Sequence, residues 1–329
     1  MSASPLLTNI ERLMVLRTFA GFATLTPSEI GVMAAQTRKR FFPAGTIISE
    51  EGAPPRSIHF IVDGEIELSR HGHKLRSYDA RSAVGGLNAL ARDLDTPRML
   101  ASQDTVTLEI STDDMEDVFE DNFGIVIGVM RAITRGILEM RAELGKDAGY
   151  HDDGENAQCP ARPLDLVERI FFLRKTIAFA RTRIEALAQL ARNAEEIRLD
   201  AGTVLWREGD QPDQIIFPIC GRVKATTEVG QEFYFRPGGT FGGLDSMAQR
   251  ERWFTAEVDE YLIGLRFDRE IFLDVLEDHY EMARDFMGLL AANLLGLLEQ
   301  AAGHDHEHER RQAAAAPPPA VTSAPGYGA

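Results

Sequence analysis

The chain repeats itself. Gly45 and Gly202, Gly52 and Gly209, Gly64 and Gly221, and Gly85-Gly86 and Gly242-Gly243 all stand the same distance apart (202 − 45 = 157). Leu16-Arg17 with Leu173-Arg174, and Val118 with Val275, hold that register outside the glycines. Chance matches of common residues would not keep one offset through segments of different periodicity, so the chain is an internal duplication. Its 329 residues allow two units of ordinary size, each able to bury a core.

Within a unit the periodicity changes twice. From about Thr8 to Gln36 apolar residues recur at helical spacing with breaks at Gly21 and Thr26-Pro27, and Thr26 or Ser28 can cap the helix carrying Ile30, Val32 and Met33. From Phe41 to about Ile110 short apolar runs are punctuated by glycine, the pattern of a β-sandwich or roll. Thr112-Asp113-Asp114 then caps a return to helix, with Val118, Ile125, Val129, Ile133 and Ile137 on a broad apolar face. Residues 146–163 have linker composition, and the scheme repeats after them. The expected fold class is mainly β with flanking helices: two β-roll (double-stranded jelly-roll-like) domains, each with amino- and carboxy-terminal helices. The expected boundaries are domain 1 over 1–145, linker 146–163, domain 2 over 164–302, and a disordered Ala/Pro-rich tail over 303–329. The last helix, from about Asp268 to Ala302, carries a leucine stripe wider than one supporting roll needs. Burial on its own domain and a helix–helix interface between subunits both account for it.

Charge excludes some functions. The net charge is −16 with no Lys/Arg-dense run, which argues against nucleic acid and against an anionic membrane surface as partners. One small anionic ligand is still allowed, because a local pocket can be positive on an acidic protein. Phe286 to Leu298 is too short to span a bilayer, and Met1-Ser2-Ala3-Ser4-Pro5 lacks the start of a secretory signal, so a cytoplasmic protein is expected. Cys159 and Cys220 make neither a disulfide framework nor a zinc constellation. His71-Gly72-His73 sits at an expected hairpin tip and has no counterpart in the second unit, and His304, His306 and His308 read as a solvated tail, so no metal site is expected. No nucleophile–base spacing or NTPase phosphate loop is present, and no catalytic residue is assigned.

The stretch most suggestive of a ligand is Thr240 to Ala256. It reads as a glycine turn opening a short helix, a loop carrying Arg252, then a strand. Amides at such a turn can face an anion, and an arginine fork suits phosphate. A weaker copy lies at Val84-Gly85-Gly86-Leu87.

Together with the Ala44-Gly45-Thr46 and Ala201-Gly202-Thr203 turns and the Glu51-Gly52 and Glu208-Gly209 pairs, these cassettes make each unit resemble the cyclic-nucleotide-binding domain of catabolite activator protein and of the kinase A regulatory subunit. The resemblance spans about 14–144 and 164–300. It implies a β-roll whose cassette, Phe-Gly-Glu-Leu-Ala followed by an arginine and small residues, holds the ribose through the glutamate and the cyclic phosphate through the arginine. Phe241-Gly242-Gly243-Leu244 keeps that frame with glycine in place of the acid, Arg252 falls at the arginine spacing, Trp253 follows it, and Thr255 stands where a small hydroxyl residue is implied. In the first unit Gly85, Gly86 and Leu87 keep the frame, Asp95 is in register with Arg252, and Arg98 is three places late. Trp253 and Phe254 would stack on a base or fill an emptied pocket, filling being favoured for large aromatics in a roll. Asp245 is a poor stand-in for the lost acid.

The implied function is a non-catalytic regulatory or sensory protein that binds cAMP or cGMP weakly, if at all, and signals to a protein partner by closing-helix movement. A homodimer through the carboxy-terminal helix is one expectation. No DNA partner is expected, because no helix-turn-helix follows the last helix. The alternative is a scaffold with both pockets inactive, attached through the carboxy-terminal helix and tail.

Overall fold

Each half is a β-roll held between helices, and the two rolls share one set of crossed helices. The computed structural model describes residues 8–93, 95–145 and 157–315, without the side chains of 20 and 304–315. The first half opens with α1 (Asn9–Leu16) and α2 (Pro27–Gln36). Thr8 and Thr26 each close a capping box, with Glu11 and Glu29 respectively, so the local sequence alone sets both helix starts. Of the two expected caps, Thr26 is the one used.

The roll of the first half has two four-stranded antiparallel sheets. One is ordered β1-β8-β3-β6 and the other β2-β7-β4-β5. Their strands are β1 (Arg38–Phe42), β2 (Ile47–Ser49), β3 (Ser57–Asp63), β4 (Ile66–Arg70), β5 (His73–Tyr78), β6 (Ala83–Val84), β7 (Arg98–Ala101) and β8 (Thr105–Ser111), with α3 (Gly86–Ala91) between β6 and β7. The His71-Gly72-His73 stretch forms the β4–β5 hairpin tip, as expected.

The second half reproduces this order: α6 (Leu166–Lys175), α7 (Ile184–Asn193), β9 (Glu195–Leu199), β10 (Val204–Trp206), β11 (Gln214–Thr226), β12 (Glu232–Phe235), α8 (Gly243–Ala248) and β13 (Thr255–Asp268). Its β11 and β13 run unbroken with bulges where the first half splits the same lengths into β3/β4 and β7/β8. These long strands depart from the short runs expected.

Both closing segments, expected as single helices, are broken. α4 (Thr112–Asp121) gives way to α5 (Phe123–Leu144) at Asn122, and α9 (Arg269–Asp278) to α10 (Tyr280–Ala315) at His279. Asn122 (φ −138°, ψ 80°) and His279 (φ −131°, ψ 74°) make the same bend at the same place in the repeat. Ser111, not Thr112, caps α4, accepting from the Asp114 amide.

The two long helices meet at Gly136, where a Cβ would come within 3.0 Å of Leu294 Cδ2. In the repeat Gly136 corresponds to Asn293 and Leu294 to Ile137. Equivalent levels of the two helices therefore touch, as in an isologous two-fold contact. Beyond the crossing each helix covers the opposite half: α5 packs on α8, and α10 on α3. Arg284 pairs with Glu116 at 2.7 Å, Arg70 with Glu299 at 2.6 Å, and Arg135 Nε donates to the Ala248 carbonyl at 3.1 Å, tying the halves at their rims. One hydrophobic cluster runs from Leu16 through Ile133 and Ile137 to Leu294 and Leu297, spanning both halves. The surplus width of the leucine stripe is thus buried against the first half of the same chain.

Three expectations need amending. The tail expected from Gly303 is helical as far as Ala315, while residues 316–329 lie outside the described residues, as do the side chains of His304, His306 and His308. Among the described residues one helical stretch, Tyr280–Gly303 within α10, is long and apolar enough, by length and composition alone, to cross a membrane, where the sequence marked only the shorter run Phe286 to Leu298. Cys159 and Cys220 form a disulfide, with Cα atoms 5.2 Å apart, that fastens the linker to the buried middle of β11. Two cysteines in sequence say nothing about such proximity.

Candidate functional site

The glycine turns of the cassettes follow from close packing. Gly85 (φ 85°) and Gly242 (φ 75°) are left-handed, and a Cβ there would lie 2.7 Å from the Ser57 carbonyl or 2.8 Å from the Gln214 carbonyl. Only glycine accepts both conditions. The following glycine is not constrained in this way. At Gly243 a Cβ would make ordinary contact, 3.5 Å from Ile215 Cγ2, so the fold does not exclude the acid that the cassette lacks. As expected, the turn opens a short helix, α8, and a loop leads from it to a strand, β13.

Arg252 is where the sequence expectation and the geometry part. Its side chain is wholly buried. One guanidinium nitrogen donates to the Gly242 carbonyl at 2.8 Å, and the other to the Gln214 carbonyl at 2.9 Å. Its plane lies 4.0 Å from the Trp206 ring centroid, and Asp245 stands 3.4 Å away. The arginine therefore braces the underside of the cassette, and the residues lining the cavity above do not include it. Asp245 is almost fully buried, and burial, partly opposed by the Arg252 charge, pushes its carboxyl up to about 6. Burial likewise lowers the Arg252 guanidinium. Asp245 Oδ1, Arg252 Nε and Trp206 Nε1 are buried without a hydrogen-bond partner among the described residues.

Above this brace lies a cavity of about 250 Å³. Phe241, Gly242, Gly243, Leu244 and Trp253 of the expected site line it, with Phe217, Phe235 and Phe254. Phe254 is fully buried and Trp253 stacks on Phe233 at 5.1 Å, so both pack on neighbouring aromatics while the cavity beside them stays open. Thr255 is elsewhere: its hydroxyl accepts from the Glu208 amide at 3.1 Å. Trp206, Phe233 and Phe235 were missed by sequence reasoning. They lie on β10 and β12, outside the cassette, and no local motif marks them.

The first half holds a matching cavity of about 310 Å³, lined by Gly85, Gly86 and Leu87 with Phe19, Phe60 and Phe119. Arg98 does not line it, and instead pairs at the surface with Glu50 at 3.8 Å. Asp95, in register with Arg252, is exposed and lies 3.6 Å from Arg70.

Each cavity is roofed by both long helices. Ile137 and Arg141 of α5 line the second-half cavity beside Phe286, Leu289, Leu290 and Asn293 of α10. Leu295 and Leu298 of α10 line the first-half cavity beside Val129, Ala132 and Ile133 of α5. Arg141 and Leu298 are equivalent positions in the repeat, so the second cavity receives a cation where the first receives a leucine. Arg81, at a left-handed turn residue, lines the first cavity at its exposed rim. No cluster of metal-ligating side chains occurs among the described residues.

Comparison with known proteins agrees with the duplication. The profile of the cyclic nucleotide-binding domain matches residues 39–122 and again 196–279, ranges that keep the offset of the glycines and together make up just over half of the chain. A curated relative, lysophospholipase nte1 of Neurospora crassa, is 19% identical over 309 residues, which is 86% of this chain and 20% of that protein. The chain therefore spans about a fifth of the length of the curated relative it matches. Among solved structures, the regulatory domain of Toxoplasma gondii PKA with cAMP is 13% identical, with 83% of this chain and 95% of that chain covered at a TM-score of 0.32. The regulatory subunit of a cAMP-independent protein kinase A from Trypanosoma brucei is 13% identical, covering 95% and 100% at 0.34. A cyclic nucleotide-binding-like protein from Brucella abortus is 29% identical over 33% of this chain and 97% of its own, at 0.29. Superpositions this loose identify neither a ligand nor a partner. The two matched ranges, each enclosing a roll with a glycine-opened cassette, are sufficient: the chain belongs to the cyclic nucleotide-binding domain family, and carries that domain twice.

Proposed function

We propose that the chain is a non-catalytic regulatory protein in which the second-half cavity senses a ligand and the crossed helices transmit its presence to a protein partner. The observation that carries this reading is that α5 and α10 each help to roof both cavities. A ligand that repositions the roof of one cavity must move the roof of the other, and with it the outer surface of the helix pair. For the first half, the scaffold alternative is favoured by Asp95, whose carboxylate replaces the cassette arginine and lies against Arg70 at the surface. The expected cytoplasmic setting would hold Cys159 and Cys220 as neighbouring thiols, whereas an oxidising compartment would keep them joined; the reading is the same in both.

Cyclic AMP and cyclic GMP are weak ligands in this proposal. Gly243 offers no carboxylate to a ribose, and Arg252 is committed to backbone carbonyls. Each absent charged hydrogen bond contributes about 1.5–3 kcal/mol, so lacking both lowers affinity by about 10²- to 10⁴-fold. The test pairs a thermal-shift panel of cyclic mono- and dinucleotides with amide exchange. Any ligand that raises Tm is expected to slow exchange in α5 as well as α10. Slowing confined to residues 164–302 would sink the transmitter role, and a flat panel would favour the scaffold. Arg252→Ala is expected to lower stability by about 3–5 kcal/mol, because it strands the buried Asp245 charge; an unchanged Tm would return Arg252 to the ligand.

A further inference from the structure

The geometry points to an apolar organic anion as the ligand of the second-half cavity, its charged end met by Arg141 from the first half. This rests on the sensory reading above and names the chemistry of the same cavity. The walls are aromatic and aliphatic: Phe217, Phe235, Phe241, Phe254 and Leu290. A phosphate and ribose have no side-chain charge to meet there from the cassette, since Arg252 lies beneath it. Asp245, the cassette's own titratable residue, also lines the cavity and is held beside Arg252. The cation that does line the cavity comes from across the pseudo-two-fold.

Arg141 sits at a particular place. It and Trp253 line the apolar cavity and also two clefts outside it, one bordered by Glu139, Glu208, Glu228, Arg250 and Glu251, the other by Gln231 and Glu232. Arg141 thus stands at the junction of an oily interior and an aqueous mouth, the placement that suits an amphiphile with one charged end. The equivalent position in the other cavity is Leu298, so the fold itself accepts an uncharged residue there. An engineered apolar cavity of roughly 150 Å³ takes up benzene. By that measure this one, at about 250 Å³, holds a chain of about eight carbons. A planar guanidinium meets a carboxylate with two parallel hydrogen bonds. Such a ligand would touch both halves at once.

Octanoate and 1-octanol, equal in chain length and different in charge, make the test on the full-length protein by calorimetry. The wild type is expected to bind octanoate at least tenfold more tightly than octanol. Arg141→Leu, which copies the residue found at the equivalent position, should bring octanoate down to the octanol level and leave octanol unchanged. Retained octanol binding reports an intact cavity in that variant. Leu289→Trp, which fills only the second cavity, should remove both ligands. Equal affinities in the wild type, no binding of either, or an equal loss of both in Arg141→Leu would overturn the assignment. If octanoate binds through Arg141 and exchange in α5 does not change, the site stands and the regulatory reading fails.

Discussion

Two buried residues with opposite titration behaviour dominate the residue scale. His59, on β3, is held between Ser57 at 3.1 Å and Thr107 at 3.3 Å, and burial lowers its pKa to about 4 from 6.5, against the raising effect of Glu109. The unfolded chain takes up this proton first, so His59 removes stability as pH falls from 6.5 towards 4. Asp245 does the reverse. Its folded value of about 6 lies above 3.8, so the native state keeps the proton longer and stability falls as pH rises from about 4 to about 6. Each effect is worth on the order of 3 kcal/mol at full extent. In melting curves across that range, the Tm of His59→Gln relative to wild type should rise as pH falls, and that of Asp245→Asn should rise as pH rises. A pH-independent difference for either variant would contradict the burial that shifts its titration. The residue scale also shows what local sequence can express. Gly85 and Gly242 are legible because a left-handed turn against a neighbouring carbonyl permits one residue type. The direction of Arg252 is not, because it is set by Trp206 and by the Gln214 carbonyl, both distant in sequence.

Among the elements, the crossing of α5 and α10 is the sensitive joint. Gly136 allows close approach, and an added Cβ would meet only the flexible end of Leu294. Gly136→Ala is therefore expected to be tolerated. Gly136→Leu should cost about 1–3 kcal/mol, since it forces the helices apart in a packed core, and should open both cavities to solvent. Chemical denaturation measures the first effect and a dye that fluoresces in apolar cavities the second. A silent Gly136→Leu would show that the crossing is loose. Sequence periodicity showed that α10 is wider in apolar face than one roll requires, but a stripe reveals only that something covers it. That the cover is α5 and α3 depends on contacts far apart in the chain. The bends at Asn122 and His279 were invisible for a related reason, since neither residue is a glycine or proline and the apolar face continues through them.

At the scale of the molecule, the duplication was legible and the relation between its copies was not. A constant offset announces two similar folds whether they hang on a linker or share an interior. The shared cluster from Leu16 to Leu297 places this chain in the second class. Calorimetry should then show one cooperative transition, with van't Hoff and calorimetric enthalpies in agreement. Two resolved peaks would mean that the rolls melt separately and that the contacts between them are weak.

The exchange of roofs has a consequence for how such a protein can change. Tandem copies joined like beads allow one to decay or be trimmed away while its sister persists. Here excising either half would strip the ceiling from the other, because Ile137 and Arg141 close the later chamber while Leu295 and Leu298 close the earlier one. Even a half without ligand chemistry of its own would thereby be indispensable.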